Sequence, residues 1–447
     1  MIFKRKAMKE LKEWKEKHSS QYAILLEGAR RVGKSTIAEE FAKKEYKSYI
    51  KIDFSKIKKE VEDVFDDIAD LDLFFLRLQA VKETKLYEKE SAIIFDEIQL
   101  KPKVRQAIKH LVADGRYSYI ETGSLISIKK NVQDILIPSE EKKIQVYPMD
   151  YEEFLWATGS ENYDNLRELY KENQEIGNSV NQELFRKFRI YMAVGGMPQA
   201  VEAYIEGKNF EEIDLVKRQI INLYEDDFRK IDNTGKLSQI YENIPSQLNV
   251  DKKRFVISNA TGQRKSNNDE DILYDLLDSK TVLKCSHITD PNIALNQSKS
   301  FNIFKLYLAD TGLFVTLLFN DAQKVHKNIY SKLLSDKLDS NLGFLYENVA
   351  AQMINSTGRS LYYHTWEKDN GPHYYEVDFL IGDKTKIVPV EVKSSSTRNH
   401  ASIDSFRDKY SKVISKRYLL SQKDVGKKED LMLKPIYFLP FILEDLE

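Results

Sequence analysis

Residues Gly28-Ala29-Arg30-Arg31-Val32-Gly33-Lys34-Ser35 read G-x-x-x-x-G-K-S, and this stretch constrains the chain most tightly. The apolar run Tyr22-Ala23-Ile24-Leu25-Leu26 precedes it, and Thr36-Ile37-Ala38-Glu39-Glu40-Phe41-Ala42 follows with helical spacing. Strand, glycine turn and helix start are the context that makes such a loop a phosphate cradle. Glycines let successive backbone N–H groups converge on an anion, and the helix N-terminus adds its positive dipole end. The loop from Gly28 to Thr36 is therefore expected to wrap phosphates. Lys34 would reach the outer ones, and the Ser35 hydroxyl would hold Mg²⁺.

A second stretch strengthens the first. Ala92-Ile93-Ile94-Phe95 is a continuous apolar run of the kind buried in a parallel sheet, and it ends in Asp96-Glu97. Open α/β sheets place ligands at strand ends. Asp96 is thus expected beside the loop, holding Mg²⁺ through its water shell, and Glu97 could orient or polarise an attacking water. An acidic pair after a strand is also a common helix cap; the upstream loop favours the chemical reading. Ser48–Phe54 alternates as a strand, Tyr117–Glu121 is another, and Lys142–Met149 reads as the last of this core. Asp150 then caps a helix. Thr122 and Ser124, at the end of the Tyr117–Glu121 strand, are both candidates to sense a γ-phosphate, and a plain Thr-Gly-Ser turn is the alternative. Residues 2–17 read as a surface helix that packs Trp14 on this core.

Composition sets the limits. The chain has 447 residues, 42% hydrophobic and 31% charged, as expected for a soluble globular protein of two to four domains. Lys+Arg 69 against Asp+Glu 70 leaves a net charge of −1, so a nucleic-acid surface would have to be a local patch. Cys285 is the only cysteine, which excludes an internal disulfide and fits a reducing cytoplasm. The start shows no signal peptide, and Phe438–Leu443 is too short to span a bilayer, so no membrane association is expected.

Residues 160–235 read as mainly helical, with Gly195-Gly196-Met197-Pro198 as a break. From Lys236 to about Thr289 the pattern is helix–helix–helix–strand–strand, the order of a winged helix. Thr261–Asn268 is polar and basic enough to meet phosphates, although Asp269, Glu270, Asp271, Asp275 and Asp278 oppose docking on DNA.

A second constellation lies near the C-terminus. Glu376–Ile381 is a strand, and a turn at Gly382-Asp383-Lys384 leads to Ile387-Val388-Pro389-Val390-Glu391-Val392-Lys393. Glu391 and Lys393 share one strand face, the hairpin brings Asp378 beside them, and Glu347 can join from a helix whose apolar face is Leu345, Val349, Ala350 and Met353. Carboxylates so grouped can bind Mg²⁺ or Mn²⁺ as a second metal site, and Lys393 could orient or activate water against a phosphodiester. A structural copy without cleavage is the alternative. Arg398, Lys412, Lys416, Arg417, Lys427 and Lys428, with Tyr410 and Tyr418 between them, suit a nucleic-acid backbone. His364 and His373 are expected on an exposed polar hairpin.

The pieces GARRVGKS, IIFDEIQ, ETGS and YPMDYEEF resemble the AAA-type ATPases of bacteria and archaea that carry a C-terminal domain of unknown function. YMAVGGMPQAV, FKLYLADTGL, NLGFLYENVAAQMI and the strands around Asp378 and Glu391 extend the likeness over nearly the whole chain. The set Asp378, Glu391 and Lys393 resembles the PD-(D/E)xK nuclease fold in its Holliday-junction-resolvase-like branch. The fold class expected is α/β: an AAA/RecA-like parallel-sheet P-loop NTPase core (residues 1–155), a helical lid (156–235), a winged-helix-like region (236–320) and a nuclease-like α/β domain (321–447). The resemblance implies ATP and Mg²⁺ as cofactors, and nucleotide contacts from Arg186, Arg189 or Arg229 in the lid. The function expected is an ATPase, with Lys34 and Glu97 catalytic, whose cycle controls nucleic-acid handling by the C-terminal domain. DNA is a partner candidate, and a homo-oligomer is compatible with the sequence. Two rivals are a nucleotide-dependent switch with an inactive partner-binding tail, and a winged-helix DNA-binding regulator.

Overall fold

The computed structural model describes residues 1–123, 138–160, 163–248, 254–262, 269–319, 327–335, 343–368, 373–394 and 400–446. These fall into two units: Met1–Tyr147 with Asp278–Lys280, and Pro148–Leu277 with Thr281–Glu447.

In the first unit, β1 (Ala23–Glu27), β2 (Ser48–Asp53), β3 (Ser91–Asp96), β4 (Ser118–Gly123) and β5 (Glu141–Gln145) form one parallel sheet in the order β2-β3-β4-β1-β5. Every residue of β3 and β4 is buried, Asp96 and Glu121 included, as strands covered on both faces require. On one face Phe95 stacks on Tyr119 at 6.3 Å, and Phe54, Phe65 and Phe74 continue the core. The insertion of β4 between β1 and β3 puts Thr122 between the tips of the two strands that carry the candidate site. The N-terminal helix, Ala7–Lys17, buries Ala7, Leu11 and Trp14, as its spacing predicts.

The second unit begins with helices Tyr151–Ala157, Tyr163–Glu172, Asn178–Val194, Pro198–Ile205 and Phe210–Ile231, in keeping with the helical reading of 160–235. Strands β6 (Val282–Ile288), β7 (Lys299–Leu308), β8 (Leu361–Glu367) and β9 (Tyr374–Val377) form a sheet in the order β7-β6-β8-β9. The β6–β7 pair is antiparallel, as a wing requires, but β6 also pairs in parallel with β8. Strands that precede and follow position 320 therefore share one sheet. A further sheet holds β10 (Phe379–Asp383), β11 (Lys386–Val392), β12 (Arg417–Ser421), β13 (Gly426–Lys428) and β14 (Leu431–Pro435), in the order β10-β11-β12-β14-β13. Asp378 alone separates β9 from β10, so the chain changes sheets at that residue.

One buried polar knot ties this unit together. The Met149 N–H donates to Gly196 O at 2.7 Å, and the Gly196 N–H donates to Asp310 Oδ2 at 2.5 Å. Tyr191 OH donates to Met149 O at 3.1 Å and accepts from Gln352 Nε2 at 3.0 Å. Gln352 Oε1 accepts from the N–H and hydroxyl of Thr311, and Asn348 exchanges hydrogen bonds with both backbone groups of Leu308. Gly196 is required by close approach, because a Cβ there would collide with the Met149 carbonyl. The motifs YPMD, GGMP, LADTG and ENVAAQ thus read as disconnected signatures in sequence but meet here.

Candidate nucleotide site and acidic cluster

The loop after β1 opens into the helix Lys34–Glu45, with Gly33 as N-cap at φ 96°, a left-handed conformation that favours glycine. That helix start leaves its first N–H groups without intrahelical acceptors. Arg31 also takes a left-handed backbone, and its side chain is exposed, as is Thr36. Arg5, buried, donates to Val32 O at 2.8 Å and to Tyr147 O at 2.7 Å, bracing the loop from the N-terminal segment.

Lys34 is buried, and its ammonium donates to Gly28 O at 3.1 Å and Ala29 O at 2.9 Å. Burial lowers its pKa to about 8, against the opposing pull of Glu97 and Asp96. Ser35 Oγ donates to Asp96 Oδ1 at 2.6 Å, the Thr122 hydroxyl donates to the same oxygen, and Lys51 Nζ lies 3.4 Å from Asp96 Oδ2. The Glu97 N–H donates to Thr122 Oγ1 at 3.3 Å, Gln99 donates to the Glu97 carboxylate, and the Glu97 backbone is left-handed at φ 57°. A non-glycine residue held there is strained, and such strain gathers at working sites. The donor set fits Mg²⁺-nucleotide: a hydroxyl and a carboxylate in contact, an ammonium inside the loop, and helix-start N–H groups.

The acidic cluster of the second unit draws on four elements. Glu347 comes from the helix Gly343–Asn355, Glu376 from β9, Asp378 from the β9–β10 junction and Glu391 from β11. Ligand atoms of Glu347, Glu376 and Asp378 lie within 4.8 Å of one another, a donor set that suits a hard divalent cation. Asp378 Oδ2 accepts from the Val392 N–H at 2.7 Å, which fixes the hairpin register, and Lys393 Nζ is 2.6 Å from Glu391 Oε1. Burial, then the Glu347 and Glu391 charges, hold the Asp378 carboxyl well above the usual carboxylate range. Burial likewise raises Glu391, against the pull of Lys393. Burial alone would lower the Lys393 ammonium, yet Glu391 and Asp378 keep it above the ordinary lysine value.

Lys305, on β7, enters the same cluster. Its ammonium is 2.8 Å from Glu376 Oε1 and 3.2 Å from Glu347 Oε2, and Tyr307 OH donates to Glu347 Oε2 at 3.0 Å. The alternation Phe304-Lys305-Leu306-Tyr307-Leu308 carries this signal: a lysine and a tyrosine on one face of an otherwise apolar strand.

The structure brings together Lys34, Ser35, Asp96, Glu97 and Thr122 in one site, and Glu347, Asp378, Glu391 and Lys393 in another. Ser124, Arg398 and Gln263–Asn268 lie outside the described residues. Arg186 pairs with Glu183, and Arg229 with Glu225; Arg189 donates to Gln422 within the second unit. Two expectations are corrected. Arg417, Tyr410 and Tyr418 are buried rather than part of a basic surface, because Asp404 and Asp430 neutralise the Arg417 guanidinium; Lys412, Lys416, Lys427 and Lys428 are exposed. His364 is buried, with Nδ1 2.6 Å from Ile288 O and its pKa lowered by burial to about 4, whereas His373 is exposed. Arg5, Lys51, Gln99, Lys305 and Glu376 are site residues that sequence reasoning missed.

Residues 20–155 match the family model of the AAA domain. Residues 185–324 match a domain of unknown function (DUF8612), and 342–438 match a second one (DUF4143). No curated protein matches the chain. Among solved structures, C. elegans PCH-2 is similar at 18% identity and TM-score 0.19, over 38% of this chain and 46% of that one. A STAND ATPase with a tetratricopeptide repeat sensor, PH0952 from Pyrococcus horikoshii, is similar at 10% identity and TM-score 0.29, over 80% and 46%. Cdc6p from Pyrobaculum aerophilum is similar at 13% identity and TM-score 0.23, over 74% and 94%. The chain spans about half the length of the first two, 46% of each. The family match and the five-stranded parallel sheet identify an AAA-type P-loop ATPase domain. Among the described residues, no helix is long and apolar enough to cross a membrane.

Proposed function

We propose that this chain hydrolyses ATP with Mg²⁺ and that its nucleotide cycle controls a C-terminal nuclease-like domain that handles nucleic acid. One observation carries the first half: Ser35 and Thr122 both donate to Asp96 Oδ1, with Lys34 held inside the adjoining loop. Bound Mg²⁺ would supply neutralisation of charge on the phosphate oxygens. The Lys34 ammonium, now on two loop carbonyls, would exchange them for an outer phosphate. Ser35 and Asp96 would hold the metal, Asp96 through water. Glu97, oriented by Gln99, would position the attacking water and draw on its proton, and Thr122 would read the γ-phosphate. ATP turnover of the wild type against Lys34→Ala and Glu97→Gln tests this, with a loss of roughly a hundredfold or more expected. Turnover that survives both changes removes the enzyme assignment.

The second half rests on Glu347, Asp378, Glu391 and Lys393 standing in one cluster. DNA would meet the chain at exposed Lys412, Lys416, Lys427 and Lys428 and at the winged-helix-like region. Incubating wild type and Asp378→Ala with branched, single-stranded and duplex DNA, plus Mg²⁺ or Mn²⁺, tests cleavage. Lys305, seated on Glu347 and Glu376, favours a second reading in which the C-terminal domain binds a partner without cutting.

A further inference from the structure

Lys305 stands where a cation would stand. Its side chain is 8% exposed, and its two carboxylate partners, Glu347 and Glu376, are two of the three residues whose oxygens converge within 4.8 Å. A divalent cation must approach carboxylate oxygens at roughly 2.0–2.6 Å. An ammonium at 2.8 and 3.2 Å from the same two carboxylates competes for that place sterically and by charge.

The cluster nonetheless keeps oxygens that the two lysines do not cover. Lys305 contacts Glu347 and Glu376, Lys393 contacts Glu391, and Asp378 Oδ2 accepts from the Val392 N–H. Glu391 Oε2 is buried without a hydrogen-bond partner among the described residues, in a side chain only 4% exposed. Glu347, at 20%, and Lys393, at 34%, are the members that solvent reaches, so an ion has an approach.

We propose that Lys305 is a tethered cation that competes with a divalent metal for Glu347 and Glu376, so that the cluster loads metal only when the lysine withdraws. This rests on reading the cluster as a metal site. Because β7 joins the LADTG segment directly, Asp310 and Thr311 of the buried knot are five and six residues from Lys305.

The test uses the full chain without nucleotide and reads Mn²⁺ binding by loss of the free-ion paramagnetic resonance signal. Lys305→Met is expected to bind one additional Mn²⁺ at least tenfold more tightly than wild type, and Lys305→Arg to behave as wild type. The gain should vanish in Lys305→Met/Asp378→Asn. If Lys305→Met fails to fold, Lys305→Gln removes the charge while keeping a polar end. In wild type, millimolar Mn²⁺ should increase acylation of Lys305 by an amine-reactive reagent, read by mass spectrometry. Equal, Asp378-dependent binding by wild type and both neutral variants overturns the competition but leaves the metal site standing. No Asp378-dependent binding in any of them overturns both.

Discussion

Ser35 Oγ lies 2.6 Å from Asp96 Oδ1, so the helix that follows β1 is hydrogen-bonded to the tip of β3 although β4 runs between those strands. Thr122, at the tip of the intervening strand, donates to the same oxygen. Asp96→Asn keeps the shape and removes the charge. It should reduce the Mg²⁺-dependent part of nucleotide affinity at least tenfold, about 1.4 kcal/mol, while affinity in EDTA changes little. Titration of a fluorescent nucleotide with and without Mg²⁺ reads both, and an unchanged Mg²⁺ effect would contradict the assignment.

Burial lowers Lys34 to about 8, so the ammonium is lost as pH rises through that value. Phosphates favour the charged form; nucleotide affinity should therefore fall between pH 7 and 9 and be pH-independent over that range in Lys34→Ala. The sign for stability is opposite. The native state releases this proton before the unfolded chain does, so the contribution of Lys34 rises with pH between about 8 and the unfolded value near 10.4. Nucleotide titrations at pH 7, 8 and 9 check the first, and denaturant midpoints over pH 8–10 check the second.

Arg5→Ala removes donors from two carbonyls, Val32 O in the loop and Tyr147 O after β5. Leaving buried acceptors unpaired costs about 1–3 kcal/mol. Urea unfolding should show a loss of that size, with weaker nucleotide binding because Val32 belongs to the loop. A variant as stable as wild type would show that the guanidinium is dispensable.

Gly196→Ala drives a Cβ into the Met149 carbonyl, on a residue whose N–H is held by Asp310. Neither partner can give way without breaking the knot. A loss on the order of 3 kcal/mol or more is expected, read as a lowered thermal midpoint. Gly207→Ala serves as comparison, since nothing lies within 4 Å of a Cβ there, although its positive φ carries its own modest cost.

The nucleotide site was legible because its chemistry is local. Gly28–Ser35 is contiguous, and Asp96-Glu97 ends an apolar run. What escaped came from residues whose role depends on distant partners. Arg5 gives no sign in Met1–Lys6 that it will enter the loop. His364 looked exposed between polar neighbours, but Ile288 and Tyr410, 76 and 46 residues away, enclose it. Lys305 could have been flagged by strand alternation, yet its meaning appears only when β7 is set beside the helix that carries Glu347. The β6–β8 pairing was not legible for the same reason: parallel pairing of strands more than seventy residues apart leaves no local pattern.

That pairing has a practical consequence for anyone dissecting the protein. A fragment beginning at residue 321 would carry β8 without β6, baring a row of unsatisfied backbone groups along Leu361–Tyr363 and inviting aggregation. It would also lack Lys305 and Tyr307. Transplanting the C-terminal segment onto another ATPase, or expressing it alone, would thus deliver an incomplete sheet and an altered acidic site together; the cut that preserves both lies upstream of Val282.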